Sequence, residues 1–426
     1  MKKLVFKVII LFLILFNFKI PVINNSVFLA MIIASLYYLF VRRFVPLTYF
    51  TFRYSATILI ATLCMALISF FVTVSHTTSF TLFSRRFLII LQMLLTIIYV
   101  LPILLEDKKN AFEESIVLIC YAFALQGLIH FLGYSFPVIG EFVFSLHSGG
   151  LKEVLLSGQT QVEKFRFYAL CGSIFFELPA AYGAVFILYF RLLMDQSRKY
   201  FNGYVNFFVF VLMFLGIMLS GRTGFVGFFI GLAFYFYYLS SHLEIIQKNF
   251  WRLSVYFITL LVIFNFAFPG RVQRAIVDEV FPFAFEAYYN LRDRGTFSTT
   301  STDMLTQGHY FYLDDDMLIK GEGVGAYETG QYFSDSGYMK LLFFGGIPFL
   351  IIVVIYQCLY FFPVFSVVRK KNSIAYRRDY QCFLLLFLYI FILTYKESAI
   401  GTTLMVETVY FYAGTSHLLR HYELFD

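Results

Sequence analysis

Residues 337–362 read GYMKLLFFGGIPFLIIVVIYQCLYFF, and this stretch decides the fold class. It contains a single charged side chain, Lys340, and it is longer than the roughly 20 apolar residues that cross a bilayer as a helix. Continuous apolar runs favour spanning helices over a transmembrane barrel, whose strands alternate apolar and polar residues. The stretch therefore predicts an α-helix that lies in a membrane.

The composition extends this prediction to the whole chain. Hydrophobic residues fill 60% of the 426 positions and charged residues only 14%. Soluble globular chains carry about 25% charged residues, because a chain of this size needs that much polar surface to cover its core. A soluble enzyme, a disordered chain and a fibrous protein are therefore excluded.

Apolar runs of nearly spanning length occur twelve times, which predicts an all-α polytopic membrane protein. They lie at about 4–20, 26–41, 55–75, 86–105, 114–132, 167–190, 204–219, 223–240, 253–268, 337–362, 380–395 and 401–418. This division puts helices one to five in residues 1–132, six to nine in 167–268 and ten to twelve in 337–426. Two long loops, 133–166 and 269–336, separate the groups, and we expect partial helical order in the second.

The distribution of Lys and Arg predicts the topology. Basic residues of the short loops concentrate at 2–7, 42–53 and 369–378, which by the positive-inside rule face the cytoplasm. Both termini are then cytoplasmic, and both long loops lie outside. This arrangement accounts for the net charge of +7 without a nucleic-acid partner.

The turn Ser220-Gly221-Arg222-Thr223-Gly224 joins two apolar runs on the outer side. A guanidinium offers a rigid fork of donors to phosphate oxygens, and the start of the next helix adds backbone N–H groups and a positive dipole end. The glycines let an anion approach the backbone. The turn is typical of an anion site at headgroup depth. The alternative is an arginine that only snorkels at the boundary.

A second constellation lies in the predicted sixth span. Arg166, Ser173 and Glu177 are seven and then four residues apart, which puts them on one helix face. Glu177 is expected near the middle of the span, where a carboxylate is costly and faces a polar cavity or a partner. A substrate role and a structural ion pair both fit Glu177. Pro179 is expected to kink the helix.

A third constellation precedes and enters the tenth span. Gly321, Gly323 and Gly325 resemble a nucleotide loop, but Ala326 breaks the dinucleotide pattern and a span follows. A tight turn over a lipid-linked substrate fits better. Asp335 lies at the outer end of the span, where a carboxylate beside apolar surface can act as a general base. The alternative is that Asp335 is the N-cap of the helix.

Other polar candidates are less specific. His309 lies in the long loop, and Lys396 shares the last outer turn with Glu397. The acidic run at residues 314–316 fits either a divalent cation site or a solvated surface. No spacing of His, Cys and carboxylates is typical of a tightly bound metal, and no Walker sequence occurs. We therefore expect neither a metal nor a cofactor, and ATP is not expected to be the energy source.

These landmarks resemble the O-antigen and capsule repeat-unit polymerases of the Wzy type, in the wider O-antigen ligase and polymerase superfamily. The resemblance rests on many spans, cytoplasmic termini, a large outer loop late in the chain and the turn around Arg222. The ligases carry His-Asn-x-x-Leu, six residues and then Gly at a late span. The matching positions here read Asp335-Ser336-x-x-Met339 and then Gly346. Asp335 in place of the ligase histidine favours a polymerase.

The resemblance implies a GT-C-like, metal-independent glycosyltransferase of the bacterial inner membrane. Its substrates would be glycans on undecaprenyl diphosphate, with membrane lipid and a chain-length regulator as further partners. Asp335, Arg222 and Arg166 would carry the catalysis. The expected substrate-binding residues are Arg271, Arg274, Arg292, Arg294, Glu177, His309 and Lys396. Two alternatives remain: an O-antigen ligase, and a flippase or exporter of the lipid-linked unit, which should show two related halves.

Overall fold

The computed structural model describes most of the apolar segments and parts of the long loops. The described residues are 2–21, 23, 25–41, 49–76, 78, 82–105, 108–146, 170, 176–194, 203–239, 251, 254–255, 258, 262, 270–275, 277–278, 281–296, 298–299, 303, 308, 310–323, 334–369, 374–396, 400–401 and 403–422. Within these ranges the regular structure is helical and no residue is in a strand. The chain is therefore an all-α polytopic membrane protein, as the apolar runs predict.

The helices follow the apolar runs closely. In chain order they are α1 (Lys2–Phe16), α2 (Ser26–Val41), α3 (Tyr49–Ser75), α4 (Leu82–Leu104), α5 (Ala111–Ser135), α6 (Pro137–Ser145), α7 (Glu177–Leu193), α8 (Gly203–Ser220), α9 (Thr223–Leu239), α10 (Gly270–Ala275), α11 (Phe281–Ala284), α12 (Glu286–Arg294), α13 (Asp315–Lys320), α14 (Gly337–Arg369), α15 (Ile374–Lys396) and α16 (Leu404–Tyr422).

Six of these helices are long and apolar enough to cross a membrane, within the described part of the chain. The candidate spans are Thr51–Ser75, Phe83–Leu104, Ala111–Ser135, Gly203–Ser220, Gly337–Phe365 and Arg377–Lys396. Ser26–Phe40 and Thr223–Leu239 are shorter apolar helices. The predicted run 253–268 falls largely outside the described residues, so the total of twelve stays a prediction.

The chain divides into two compact units. Unit 1 contains Met1–Val41 and Glu113–Arg294, and unit 2 contains Arg42–Phe112 and Gly295–Asp426. Each unit therefore combines an early and a late part of the chain. The contacts that stabilise a unit join residues far apart in sequence, which hydropathy cannot reveal.

Unit 1 is built around α7, which is buried along almost its whole length, from Glu177 to Leu192. Helix α9 packs so closely on α7 that a Cβ added at Gly227 would lie 2.5 Å from the Gly183 carbonyl oxygen. Small residues at such crossings let backbones approach, which is how spanning helices gain packing energy without a hydrophobic driving force. The rings of Phe186 and Phe228 fill the space beside this crossing.

Unit 2 is stabilised by buried hydrogen bonds between its helices. The Thr62 hydroxyl on α3 lies 2.9 Å from the Tyr356 hydroxyl on α14, which lies 2.8 Å from that of Tyr360. On α16, the Glu407 carboxylate accepts from the side-chain amide of Gln357 on α14 at 3.5 Å. Polar groups away from water need such partners, so this network constrains how α3, α14 and α16 pack.

Candidate functional site

Arg222 lies at the edge of the apolar layer. The candidate span of α8 ends at Ser220, and α9 begins at Thr223, so Arg222 occupies the turn between them. Its side chain is 14% exposed, and its Nη1 donates a hydrogen bond to the Glu286 carboxylate. Arg222 therefore binds an anionic group that belongs to the protein itself, and the predicted site for an external anion stays a prediction.

Glu286 was missed by sequence reasoning. It lies in the first turn of α12, in the predicted outer loop, 64 residues from Arg222. The adjacent Phe285 ring lies 6.4 Å from the ring of Phe225 on α9. These two contacts dock α12 on the start of α9. An acidic residue in the first turn of a helix is common, since it complements the dipole, so the sequence carried no signal of this partner.

The expectation that Glu177 lies near the middle of a span is wrong for the described helix, because α7 begins at Glu177. A carboxylate in the first turn interacts favourably with the helix dipole, and Pro179 is tolerated there without a kink because the first N–H groups lack helical partners. The Glu177 side chain is 3% exposed. Arg166 and Ser173 lie outside the described residues, so the predicted shared helix face remains a prediction.

The start of α7 and the Arg222 turn lie against each other. A Cβ added at Gly224 would lie 2.7 Å from the Pro179 carbonyl oxygen, so only glycine allows this approach. Glu177 and Arg222 each lie two residues from this contact. The structure therefore brings two of the predicted site residues to the same end of unit 1.

The arginines of the long loop have separate environments. Arg274 is exposed, and its Nε lies 3.4 Å from the Gly270 carbonyl oxygen of its own helix. Arg292 forms a two-point contact with Asp293, at 2.7 and 3.2 Å, and Arg294 follows on the same helix, α12. The hydrogen bond from Arg292 lowers the pKa of the Asp293 carboxyl. Arg271 falls on α10, but its side chain lies outside the described part of the chain, as does His309.

Asp335 lies in unit 2, half-buried, just before α14. The alternative that Asp335 is the N-cap is wrong, because Ser336 occupies that position. The Ser336 Oγ accepts from the backbone N–H of Met339 at 3.5 Å, and Ser336 itself is fully buried. Lys340, in the first turn of α14, is buried with 8% exposure and was not among the predicted site residues.

The predicted tight glycine turn is confirmed for its described part. Gly321 (φ +70°) and Gly346 (φ +68°) adopt backbone conformations that favour glycine, and Gly346 interrupts α14. Two backbone hydrogen bonds join the turn to the interrupted helix. The Glu322 N–H donates to the Phe343 carbonyl at 2.7 Å, and the Gly323 N–H donates to the Phe344 carbonyl at 2.9 Å. Gly325 lies outside the described residues.

The acidic run at 314–316 has a structural role at the start of α13. Asp314 accepts from the Met317 backbone N–H at 2.8 Å, which makes it the N-cap, and Asp316 pairs with Lys320 at 2.6 Å. Both contacts favour the solvated interpretation over a cation site. Across the described ranges, no group of three or more His, Cys, Asp and Glu residues is placed to hold a metal ion.

The C-terminal end of α15 carries Lys396, which is half-buried. The neighbouring Tyr395 carbonyl accepts from the Tyr310 hydroxyl at 2.9 Å, and the two rings stack at 5.2 Å. Partial burial raises the pKa of the Tyr310 hydroxyl. Glu397, the suggested partner of Lys396, lies outside the described residues. Tyr310 was missed because a lone tyrosine in an aromatic-rich loop gives no sequence signal.

His76 is a second missed side chain in unit 2. Its Nδ1 lies 2.9 Å from the Val72 carbonyl oxygen, and its side chain packs against Gly323, where an added Cβ would lie 2.5 Å from the His76 Cβ and 2.7 Å from the ring Cγ. The Thr78 hydroxyl donates to the Gly323 carbonyl at 3.0 Å. The end of α3 therefore supports the glycine turn, although the two segments are far apart in sequence.

No protein-family model, curated protein or solved structure matches this chain. The fold and the site geometry are therefore the observations from which a function can be argued. They define an all-helical membrane protein with a paired arginine at the edge of a span in one unit. The other unit presents a half-buried aspartate before a broken helix.

Proposed function

We propose that the protein is a glycosyltransferase that polymerises undecaprenyl-diphosphate-linked repeat units at the outer face of the bacterial inner membrane, with cytoplasmic termini. The observation that carries the proposal is the setting of Arg222. It is a largely buried guanidinium, at the edge of a span, already engaged with a carboxylate. A guanidinium at headgroup depth suits the diphosphate of a lipid carrier, whose phosphates lie at that depth.

The reaction transfers the growing glycan from its carrier to the next repeat unit. A hydroxyl oxygen of the acceptor sugar attacks the anomeric carbon of the donor, and the bond from that carbon to the phosphate oxygen breaks. The electron pair leaves with undecaprenyl diphosphate, and Asp335 takes the hydroxyl proton. Arg222 stabilises the charge that develops on the leaving diphosphate, and such electrostatic stabilisation is usually the largest catalytic contribution.

Residues near Arg222 support this assignment. Helix α12, which carries Arg292 and Arg294, docks on the Arg222 turn through Glu286 and Phe285. The start of α7 with Glu177 lies against the same turn through the contact between Gly224 and Pro179. Charged side chains of the Arg222 turn and of the first turns of α7 and α12 thus lie at one end of unit 1, where a lipid-linked anion would arrive.

The surface glycan of a deletion strain tests the proposal. Loss of a polymerase leaves a single repeat unit on the lipid anchor, and the ladder of longer chains disappears. A strain with no attached unit at all would instead indicate a ligase or an exporter. An unchanged ladder would contradict all three functions.

A further inference from the structure

Helix α12 and the residues before it form one helical path with two chemically different sides. The Phe285 N–H bonds to the Phe281 carbonyl at 2.9 Å, and the Phe285 carbonyl accepts from the Tyr289 N–H at 3.1 Å, so the path runs on from α11 into α12. At 3.6 residues per turn, Phe285, Tyr288 and Leu291 fall on one side. Glu286 lies on the opposite side.

The side that carries Glu286 faces the protein. Glu286 is 21% exposed and bonds to Arg222. The apolar side is partly exposed: Phe285, Tyr288 and Leu291 are 43%, 59% and 47% exposed, and the Phe285 ring also contacts Phe225. Three large apolar side chains in a row on a loop helix are costly in water, because burying each one is worth about 1.5–3 kcal/mol. A surface of this kind marks a contact with lipid or with another protein.

The depth of α12 follows from its contacts. Arg222 comes directly after the candidate span Gly203–Ser220, and Phe225, in the first turn of α9, contacts Phe285. A helix that touches both residues lies at the edge of the apolar layer. The last turn of α12 is basic, with Arg292 and Arg294 both exposed.

We infer that α12 is an interfacial helix whose Phe285, Tyr288 and Leu291 side lies in the phospholipid boundary, with Arg292 and Arg294 among anionic headgroups. Aromatic and leucine side chains on one face, basic residues beside them and modest overall hydrophobicity define helices that lie in the membrane surface. Seated this way, α12 holds Glu286 against Arg222 at headgroup depth. The inference depends on lipid contact alone and does not rest on the proposed glycan chemistry.

Tryptophan fluorescence tests the seating directly, because the chain contains a single tryptophan, Trp251. The full-length Trp251→Phe variant is reconstituted in phosphatidylcholine and phosphatidylglycerol vesicles that contain brominated phospholipid. Leu291→Trp in that background should show blue-shifted emission and severalfold stronger quenching than Asp293→Trp. Asp293 lies on the same helix, away from the apolar side, and its side chain is 55% exposed.

Tyr288→Trp repeats the test with an aromatic replacement, should Leu291→Trp fail to fold. Equal quenching at the apolar and control positions, or no quenching at either apolar position, would overturn the inference. Quenching of Leu291→Trp should also rise with the phosphatidylglycerol fraction and lose this dependence in Arg292→Gln/Arg294→Gln. If quenching still rose with the phosphatidylglycerol fraction in the double variant, the inferred contact of Arg292 and Arg294 with anionic headgroups would be wrong. No glycan substrate is present, so the outcome is independent of the polymerase proposal.

Discussion

The two units present their candidate residues on differently built supports. In unit 1, side-chain contacts join the Arg222 turn to the loop helix α12, among them the Arg222–Glu286 ion pair and the ring contact of Phe225 with Phe285. In unit 2, the glycine turn is joined to the broken helix α14 by two backbone hydrogen bonds and by glycines that no larger residue can replace. The Arg222 side chain can exchange Glu286 for an incoming anion. The backbone hydrogen bonds between the glycine turn and α14 cannot be exchanged in this way.

This difference suggests separate roles in the proposed reaction: anion binding for Arg222 and proton removal for Asp335. In the proposed reaction a diphosphate would compete with Glu286 for the same guanidinium donors, which suits the Arg222 ion pair to binding and release. A general base must be held within hydrogen-bond reach of the proton that it removes, and the proposed base Asp335 directly precedes the helix to which the glycine turn is bonded.

The largest expected effect concerns Asp335. Asp335→Asn keeps the shape of the side chain but removes its basicity, so polymer formation should fall by about 10²–10⁴-fold, the usual contribution of a general base. Asp335→Glu should retain part of the activity. An assay of lipid-linked oligosaccharide extension measures both variants, with Asp315→Asn, on an exposed carboxylate of α13, as the matched control. Full activity of Asp335→Asn would exclude the base role.

The second largest effect on activity is expected from removing the Arg222 guanidinium in unit 1. Arg222→Ala should insert normally yet lower chain extension by about 10²–10³-fold, as expected when one stabilising donor to a developing anion is lost. Arg222→Lys should recover little, because an ammonium lacks the planar fork. Arg85→Ala, at an exposed arginine near the start of α4, is the matched control. A normal polymer ladder from Arg222→Ala would refute the anion site.

A substitution in the contact between the glycine turn and α14 should lower the stability of unit 2. Gly346→Ala forces a side chain into a glycine-only conformation (φ +68°) and against the Ile319 carbonyl oxygen, 2.7 Å from the added Cβ. The conformational strain alone costs about 1–3 kcal/mol. We expect a lower thermal unfolding midpoint in detergent for Gly346→Ala. Gly203→Ala, where an added Cβ meets nothing within 4 Å, should leave the midpoint unchanged. Equal unfolding midpoints for Gly346→Ala and Gly203→Ala would show that the contact between the glycine turn and α14 is not rigid.

The smallest effect is expected from the exposed Arg292–Asp293 pair on α12. Because Arg292 lowers the folded-state pKa of Asp293, the contribution of the pair is present above the unfolded pKa and disappears as the pH falls through the folded value. Arg292→Gln should therefore lower the unfolding midpoint only slightly at neutral pH and not at all in acid. Exposed pairs contribute little in any case. A large loss at neutral pH would mean that Arg292 has another partner.

Sequence reasoning recovered the local features of the site and missed its partners. The turn at Arg222 and the glycine turn were predicted because each consists of a few residues that are adjacent in the sequence. Glu177 was misplaced, because an apolar run shows where a span can lie but not where its helix begins. Glu286, Tyr310 and His76 were missed because their contacts join residues that are distant along the chain.

Composition and hydropathy alone determined that this is an all-helical membrane protein, and they located most of its apolar helices. These properties are local, since a segment of about 20 apolar residues must form a helix in lipid whatever it packs against. The tertiary structure decided which segments share a unit, which carboxylate meets Arg222 and which glycines touch. Those choices depend on the fit between surfaces of separate helices, which a one-dimensional pattern does not encode.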